Sequence, residues 1–157
     1  METAVTKPEH KDWYVTDDEA YILDHMGEKG FTLKAVRSEK MLGFLIVHRP
    51  GLEPEHLGDC IGLTDLEKHY SAYMDSACVC QEARGKGLMR RLLAEAEEVL
   101  TAEGNRHLFA TVHPKNRYSL GNFLAMGYRI AAEGEKYGGL PRVIVYKEVN
   151  LPEMSDS

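Results

Sequence analysis

The chain has 157 residues, the length of one ordinary domain, and its fractions of hydrophobic and charged residues, 43% and 28%, are typical of a globular protein. The net charge of −6 argues against a general nucleic-acid-binding protein, which normally has a basic excess. No apolar run approaches the roughly 18 residues of a transmembrane helix, and the polar N-terminus lacks the apolar core of a secretory signal, so we expect a cytoplasmic protein with no membrane partner.

The N-terminal third contains the first predicted helix and a β-hairpin. Acidic residues at positions 17–19 precede the apolar residues 20–23, a pattern typical of a helix N-terminus, so we expect a helix that ends near Gly30. Residues 31–36 and 41–48 are rich in β-forming side chains and are separated by a short polar segment. This arrangement predicts two antiparallel strands joined by a turn.

The central third predicts a loop, a strand and the clearest helix of the chain. Residues 51–69 contain scattered acidic residues and glycines and predict a long loop, with a short helix near positions 65–69. A strand follows over residues 73–80. Residues 88–103 then carry one apolar stripe at helical spacing, and Gly104 is suited to end that helix.

The last third predicts a strand over residues 107–112, a helix over residues 119–126 that stops at Gly127, and a strand over residues 142–149. The order strand, helix, strand across residues 73–112 requires a parallel pair of strands. The hairpin and the final strand are more naturally antiparallel. We therefore expect an α/β fold with a mixed, mainly antiparallel twisted sheet, a central parallel βαβ pair and flanking helices.

A cluster of positive charge lies between the strand over residues 73–80 and the long helix. Residues 84–91 include four cations and no acid, and Gly85 and Gly87 directly precede the helix. Glycines let backbone N–H groups turn toward a ligand, and the helix N-terminus adds donors and a positive dipole. These features predict a cradle for an anion such as a pyrophosphate, although a glycine-lined turn with solvated basic side chains has the same pattern. The spacing fits neither a P-loop nor a dinucleotide-binding fingerprint.

This stretch resembles the acetyl-CoA pyrophosphate loop of the GCN5-related N-acetyltransferase (GNAT) superfamily. Residues 79–88, VCQEARGKGL, resemble the family pattern Q/R-x-x-G-x-G/A after an apolar strand, with Glu82 in the Q/R position. A second resemblance is to the family run N-x-x-A-x-x-x-Y-x-x-x-G-F, and the residues that carry it are Asn116, Ser119, Phe123, Gly127 and Tyr128. Together the two resemblances cover about the C-terminal half of the chain, and the first 70 residues fit by element order only.

The resemblance implies a GNAT-like fold with acetyl-CoA as co-substrate. Backbone groups near Ala77 and Val79 would bind the pantetheine arm, the amides of residues 84–89 would hold the pyrophosphate, and Asn116 would reach the thiol end. Phe123 lies where many members have the tyrosine that reprotonates the CoA thiolate. The implied cofactor-binding residues are Ala77, Val79, Arg84, Gly85, Lys86, Gly87, Leu88, Met89, Asn116 and Phe123.

The activity that the resemblance implies is transfer of an acetyl group from acetyl-CoA to a primary amine of a small molecule or peptide, by direct attack in a ternary complex. One alternative is a non-catalytic acyl-CoA-binding sensor or regulatory module on the same fold, which the phenylalanine at position 123 favours. Another is a subunit that mainly organises a partner. The short N-terminal portion fits either a trimmed fold or one completed by a partner chain, such as a second copy in a homodimer.

An amine that attacks a thioester must lose a proton, so the site needs a general base. Asp75 shares a predicted strand face with Ala77 and Val79 and is the first candidate, although it could simply end the strand. His113 follows the strand over residues 107–112 and is the second candidate, with an ordinary loop histidine as the alternative. Acidic side chains of the long loop could attract a cationic amine or simply be solvated; they are Glu53, Glu55, Asp59, Asp65 and Glu67.

The chain has an odd number of cysteines, three, and no CxxC spacing, which is typical of a protein in a reducing compartment. They are Cys60, Cys78 and Cys80. We interpret them as buried thiols that act as small hydrophobic side chains, and we expect no metal site. Nothing repeats along the chain and no linker divides it. We expect a single domain over residues 1–157, with loose ends at residues 1–12 and 150–157.

Overall fold

A computed structural model of the chain describes residues 13–16, 19–38, 40–85, 87–136 and 140–149. The strands are β1 (Trp13–Thr16), β2 (Glu19–Gly27), β3 (Gly30–Arg37), β4 (Lys40–His48), β5 (Ser71–Val79), β6 (His107–Val112), β7 (Arg129–Lys136) and β8 (Leu140–Glu148). The α-helices are α1 (Asp65–His69), α2 (Leu88–Ala102) and α3 (Arg117–Ala125), and 3-10 turns lie at Leu57–Ile61 and Gln81–Ala83. The predicted loose ends, residues 1–12 and 150–157, lie outside the described residues.

The described residues form two compact units, one within residues 1–49 and 74–97 and the other within residues 50–73 and 98–157. Strand β5 and helix α2 each contribute residues to both units.

In the first unit the strand order is β1-β2-β3-β4-β5, and β1 to β4 form an antiparallel meander. Alternate residues of β3 point into the core, because successive side chains of a strand face opposite sides of a sheet. Phe31, Leu33 and Ala35 are buried in this way. Helix α2 buries Leu92 and Leu93 completely, so its apolar stripe forms part of the core of this unit.

In the second unit the strand order is β5-β6-β8-β7. Ser71–Tyr73 of β5 pair in parallel with residues 107–109 of β6, as the β5–α2–β6 connection requires. Strand β8 is antiparallel to both β6 and β7. The mixed, mainly antiparallel sheet with a parallel βαβ pair and helices, as predicted, is confirmed. A cluster of buried side chains at the core of this unit contains Leu57, Phe109, Ile144 and Tyr146.

Most of the predicted elements are confirmed with small changes of boundary. The hairpin is β3 and β4, the short helix near residues 65–69 is α1, and the long helix is α2. Gly104 follows α2 with a φ of +96°, a conformation that favours glycine, so it ends the helix as expected. The remaining confirmed elements are β5, β6, α3 and β8.

The helix predicted before Gly30 is wrong, because this segment forms strand β2. Ala20 pairs with Val15 of β1 and Val36 of β3, so β2 has a strand neighbour on each edge. Those backbone hydrogen bonds outweigh the local helix signal of an acidic first turn. Strand β7 was not predicted, because its sequence, RIAAEGEK, has few β-forming side chains, and it is a strand because it pairs with β8.

The cysteines are less buried than expected. Cys60 and Cys78 are exposed, and Cys80 is half-buried; all three are free thiols. The interpretation of buried thiols is therefore wrong. Cys78 lies in the second half of β5, where the strand leaves the core and its side chains alternate less regularly between buried and exposed.

Candidate functional site

The loop between β5 and α2 has the backbone geometry of an anion site. After β5 the chain makes the 3-10 turn Gln81–Ala83, and Arg84 is extended. Gly85 and Gly87 follow with φ values of +83° and +78°, which side chains with a Cβ rarely adopt. No atom lies within 4 Å of a Cβ added at either glycine, so the backbone conformation alone requires them. The predicted site residue Lys86 lies outside the described residues.

The same loop carries exposed positive charge at the N-terminus of α2. Leu88 and Met89 are buried and fix the helix against the core, whereas Arg84, Arg90 and Arg91 are exposed. The Arg91 N–H donates to the Gly87 carbonyl at 3.0 Å, which starts the helical hydrogen-bond ladder. The N–H groups of a first helical turn have no partner within their helix, and the helix dipole is positive there. The loop can therefore bind a phosphate through backbone donors and cations together.

The end of β5 has one edge turned toward β4 and one edge turned away from it. The Cys80 N–H donates to the Leu42 carbonyl of β4 at 2.8 Å, and the Cys78 carbonyl oxygen lies 2.8 Å from where a Cβ on Gly43 of β4 would be. Peptide groups alternate between the two edges of a strand, so those of Ala77 and Val79 point away from β4. That edge offers the donors and acceptors that an extended amide chain, such as pantetheine, would use.

Glu82 places a carboxylate in the positive loop, and a lysine from the β3–β4 hairpin pairs with it. The Lys40 ammonium donates to a Glu82 carboxylate oxygen, and both side chains are exposed. The hydrogen bond to Glu82, and the charge of that carboxylate, raise the pKa of Lys40 above its ordinary value. Lys40 therefore stays protonated and offsets the acid that departs from the family pattern.

Asp75 is exposed on β5 and lines an open cavity of about 300 Å³ in the first unit. The other cavity residues come from the β2–β3 turn and from the adjoining ends of β3 and β4, and they include Lys29, Phe31, Ile46, Val47 and His48. The exposed position of Asp75 fits contact with a ligand better than a role in ending the strand, which continues to Val79. His48 was not predicted as a cavity residue. It is the last residue of β4, and nothing in the sequence distinguishes a strand-end residue that lines a cavity from one that does not.

His113 and Asn116 both make local hydrogen bonds after β6. His113 Nδ1 accepts the Lys115 N–H at 3.0 Å, and Asn116 Oδ1 accepts the Ser119 N–H at 3.1 Å. Asn116 is thus the N-cap of α3. Both side chains are exposed, so each combines a structural role with access to solvent.

Comparison with known proteins identifies the family. A sequence model described as the acetyltransferase (GNAT) family matches residues 2–128, most of the chain. The chain belongs to this family. Family membership makes acetyl transfer its class of reaction and acetyl-CoA the implied acetyl donor. No curated protein sequence matches the chain.

Solved structures of acetyltransferases share the fold. Ribosomal-protein-S18-alanine N-acetyltransferase from Escherichia coli is similar with a TM-score of 0.60 and 18% identity, over 82% of this chain and 75% of that chain. Ribosomal-protein-S5-alanine acetyltransferase from Vibrio fischeri has a TM-score of 0.67 and 13% identity, over 90% and 100%. The structure of yncA from Salmonella typhimurium with its cofactor acetyl-CoA has a TM-score of 0.59 and 18% identity, over 80% and 67%.

Phe123 of this GNAT protein is a core residue. Its side chain is 3% exposed, and its ring packs edge-on against Tyr128 with the ring centroids 5.0 Å apart. A phenyl ring has no proton to give a thiolate. Phe123 therefore cannot act as a general acid.

The second unit also buries two histidines that the sequence did not single out. His56 accepts the Gly58 N–H at Nδ1, so Nε2 carries the proton and donates to Ser71 Oγ at 2.9 Å. His107 Nδ1 lies 2.8 Å from the Tyr146 hydroxyl. Burial lowers the pKa of both histidines and raises the pKa of Tyr146, because it penalises the charged forms. Burial thus favours the neutral form of each group, and each makes a hydrogen bond inside the protein.

Within the ranges that the structure describes, no group of three or more His, Cys, Asp or Glu side chains is arranged to hold a metal ion. None of the described helices is long and apolar enough to cross a membrane. The candidate site of the first unit consists of the β5–α2 loop, the outer edge of the end of β5 and the Asp75 cavity. The second unit contributes its own candidate, the capped turn before α3.

Proposed function

We propose that this GNAT protein is an N-acetyltransferase that moves the acetyl group of acetyl-CoA to a primary amine of a small molecule or peptide. The observation that carries the proposal is the β5–α2 loop, in which Gly85 and Gly87 take positive φ values directly before the α2 N-terminus. A pyrophosphate is the part of acetyl-CoA that such a loop suits. Family membership gives the class of reaction, and the geometry of the loop supports the proposal that acetyl-CoA binds there.

In the proposed complex, the backbone amides of residues 85–89 hold the pyrophosphate, and Arg84 and Lys86 add charge. The Arg84 N–H already donates to the Gln81 carbonyl at 3.2 Å, so Arg84 acts through its side chain. The pantetheine arm extends along the edge of β5 formed by the Ala77 and Val79 peptide groups. The Val79 carbonyl already accepts a hydrogen bond from Arg84 Nε at 3.2 Å, and a carbonyl has a second lone pair for a pantetheine amide. Asn116 is assigned to the thiol end of CoA.

Asp75 is the proposed general base. A strand rises about 3.3 Å per residue, so Asp75 lies roughly 13 Å back along β5 from Val79, in the direction in which the thioester end of the cofactor would extend. His113 is the second candidate for the base. Since its Nδ1 accepts the Lys115 N–H, its neutral form carries the proton on Nε2, and we therefore assign the base to Asp75.

The reaction is a direct transfer within a ternary complex. The ammonium of the acceptor gives one proton to the Asp75 carboxylate, and its nitrogen lone pair attacks the thioester carbonyl carbon. The new C–N bond forms, the C–S bond breaks, the amide nitrogen loses its second proton to solvent, and the thiolate takes a proton from water, since Phe123 cannot supply one. Alignment of the two substrates supplies much of the acceleration.

The test is a binding measurement followed by an activity measurement. Calorimetry with acetyl-CoA is expected to show one site per chain, and the melting temperature is expected to rise with cofactor concentration. Release of free thiol is then followed with a panel of amines. If acetyl-CoA neither binds nor raises the melting temperature, the proposal is wrong.

A second function is a non-catalytic acyl-CoA-binding module, and the buried Phe123 is the observation that favours it. Both functions predict cofactor binding, so thiol release separates them. Tight binding of acetyl-CoA with no thiol release for any amine would establish the binding module. Thiol release that depends on the amine and on Asp75 would exclude it.

A further inference from the structure

Arg84 joins the end of β5 to the loop that follows it. Its Nε–H donates to the carbonyl of Val79, the last residue of β5, at 3.2 Å. The Val79 peptide group points away from β4, on the strand edge proposed for the pantetheine arm. Arg84 also directly precedes Gly85, the first positive-φ glycine of the loop proposed for the pyrophosphate. Its side chain therefore lies where the two parts of the proposed cofactor site meet.

The backbone around Arg84 holds the base of this side chain. Ala83 before it is buried, so the turn is fixed against the core. Arg84 itself is exposed and extended, with a φ of −70° and a ψ of 151°, and its N–H donates to the Gln81 carbonyl. The turn thus fixes the start of the side chain, and the hydrogen bond to Val79 fixes its far end.

A guanidinium can hold two partners in a fixed relation. It is planar and rigid, with five N–H donors, and the hydrogen bond to Val79 uses one of them. A phosphate oxygen is a partner that a guanidinium binds strongly. A lysine ammonium, in contrast, is a point charge on a flexible stem. Arginine is therefore the residue type suited to link a bound phosphate to the end of a strand.

We propose that Arg84 is a positioning residue that sets how far the acetyl-CoA thioester reaches along β5. This inference rests on the proposed N-acetyltransferase function. The guanidinium contacts a pyrophosphate oxygen and the Val79 carbonyl together, which fixes the pyrophosphate relative to the end of β5. Because the pantetheine arm lies extended along the same edge, this also fixes where the thioester lies relative to Asp75. Arg84 takes no part in proton transfer.

Three substitutions separate the hydrogen bond to Val79 from the positive charge. Glutamine has its amide nitrogen the same number of bonds from Cα as the arginine Nε, so Arg84→Gln keeps a donor for the Val79 carbonyl and loses the charge. Lysine has a methylene at that point, so Arg84→Lys keeps the charge and loses this donor. Arg84→Met loses both in a side chain of similar length.

The two single losses are expected to affect different constants. Arg84→Gln should raise the dissociation constant of acetyl-CoA about tenfold, because a charged hydrogen bond to phosphate is lost. Its kcat at saturating acetyl-CoA should stay within about twofold of wild type. Arg84→Lys should keep the dissociation constant within about threefold but lower kcat about tenfold, since a small misplacement of the reacting groups is costly. Arg84→Met should show both losses.

Calorimetry measures the dissociation constant, and thiol release with an amine that the wild type acetylates measures kcat. Acetyl-pantetheine tests the link to the phosphates, because it has the same thioester arm and no phosphate group. We expect its kcat/KM to stay within about twofold of wild type in all three Arg84 variants. A tenfold loss with acetyl-pantetheine in Arg84→Lys would show that Arg84 only supports the end of β5, and would overturn the proposal.

Arg142→Gln and Arg142→Lys are the matched controls. Arg142 lies on β8 in the second unit, and its Nη1 also donates to a backbone carbonyl, that of Pro141, at 2.7 Å. Both control variants should keep kcat and the dissociation constant within about twofold of wild type.

Two outcomes separate failure of this inference from failure of the proposed function. If the wild type acetylates amines and Arg84→Lys has the kcat of wild type, Arg84 is only a cation for the phosphates. The positioning role is then wrong, although the proposed function stands. If the wild type releases thiol with no amine, the proposed function and the positioning role are overturned together.

Discussion

Two loops of this protein follow parallel strands and precede helices, yet they prepare their polar groups in opposite ways. The β5–α2 loop uses positive-φ glycines, and its helix begins with exposed arginines around backbone donors. The β6–α3 loop uses side chains, and His113 and Asn116 accept hydrogen bonds from backbone groups of their own turn. The first loop leaves backbone donors for a ligand. In the β6–α3 loop, the side chains that were predicted to bind the ligand already accept hydrogen bonds from backbone N–H groups of the same loop.

This difference separates what a sequence predicts well from what it predicts poorly. A glycine spacing constrains backbone conformation, and backbone conformation determines where N–H groups point. A side chain at a loop position can bind a ligand or cap a turn, and the residue type alone does not distinguish the two. The four predictions below test this comparison, beginning with the largest expected effect.

Replacing Gly87 by valine tests whether the backbone of the β5–α2 loop is the binding element. A β-branched residue at a φ of +78° is strained by roughly 1–3 kcal/mol, so the loop would change conformation. We expect the dissociation constant of acetyl-CoA to rise about 10- to 100-fold in a calorimetric titration.

Gly104→Val is the matched control for Gly87→Val. Gly104 also has a positive φ, +96°, with no atom within 4 Å of an added Cβ, and it follows the opposite end of helix α2. It should lose similar stability and keep its affinity for acetyl-CoA. Equal weakening of binding in both variants would mean that strain in the helix, not the loop backbone, controls binding.

Asn116 tests the second loop, because capping and cofactor contact need different atoms. Asn116→Ala is expected to lower the free energy of unfolding by about 1 kcal/mol, the usual cost of a lost N-cap. Asn116→Ser retains a capping oxygen and should stay within a few tenths of a kcal/mol of wild type. If the side-chain amide also contacts CoA, the serine variant binds acetyl-CoA more weakly at unchanged stability. Unaltered affinity in the serine variant would limit Asn116 to the cap.

The order of the elements from β3 to β6 could be predicted from the sequence because each has a strong local pattern. The apolar stripe of α2 and the glycines around it mark both ends of that helix. Strand β2 could not be predicted, because its acidic first residues resemble a helix N-terminus and only pairing with β1 and β3 makes it a strand. The same holds for the Asp75 cavity, since His48 and Lys29 reach it through the hairpin register and not through any motif.

The ion pair between Lys40 and Glu82 tests how charge in the β5–α2 loop affects acetyl-CoA binding. Lys40→Ala removes a cation that pairs with the Glu82 carboxylate near the phosphate site, so acetyl-CoA binding should weaken by about two- to fivefold. Glu82→Gln should restore binding in the Lys40→Ala background, because the repelling charge is gone. Lys68→Ala removes another ion-paired lysine, the partner of Asp59, and should leave affinity unchanged. A full effect of Lys40→Ala in the Glu82→Gln background would show that Lys40 contacts the cofactor directly.

The smallest effect is expected for His113, and its comparison with His48 explains why. His48 donates through Nδ1, which leaves the lone pair of its neutral ring on Nε2, whereas His113 accepts at Nδ1 and carries its proton on Nε2. His113 in this state can donate a hydrogen bond but cannot accept the proton of an amine. His113→Asn keeps an acceptor for the Lys115 N–H, so kcat/KM should change by less than about twofold. A loss above tenfold in His113→Asn would instead place the general base on the second loop, and the cavity beside Asp75 would then need another role.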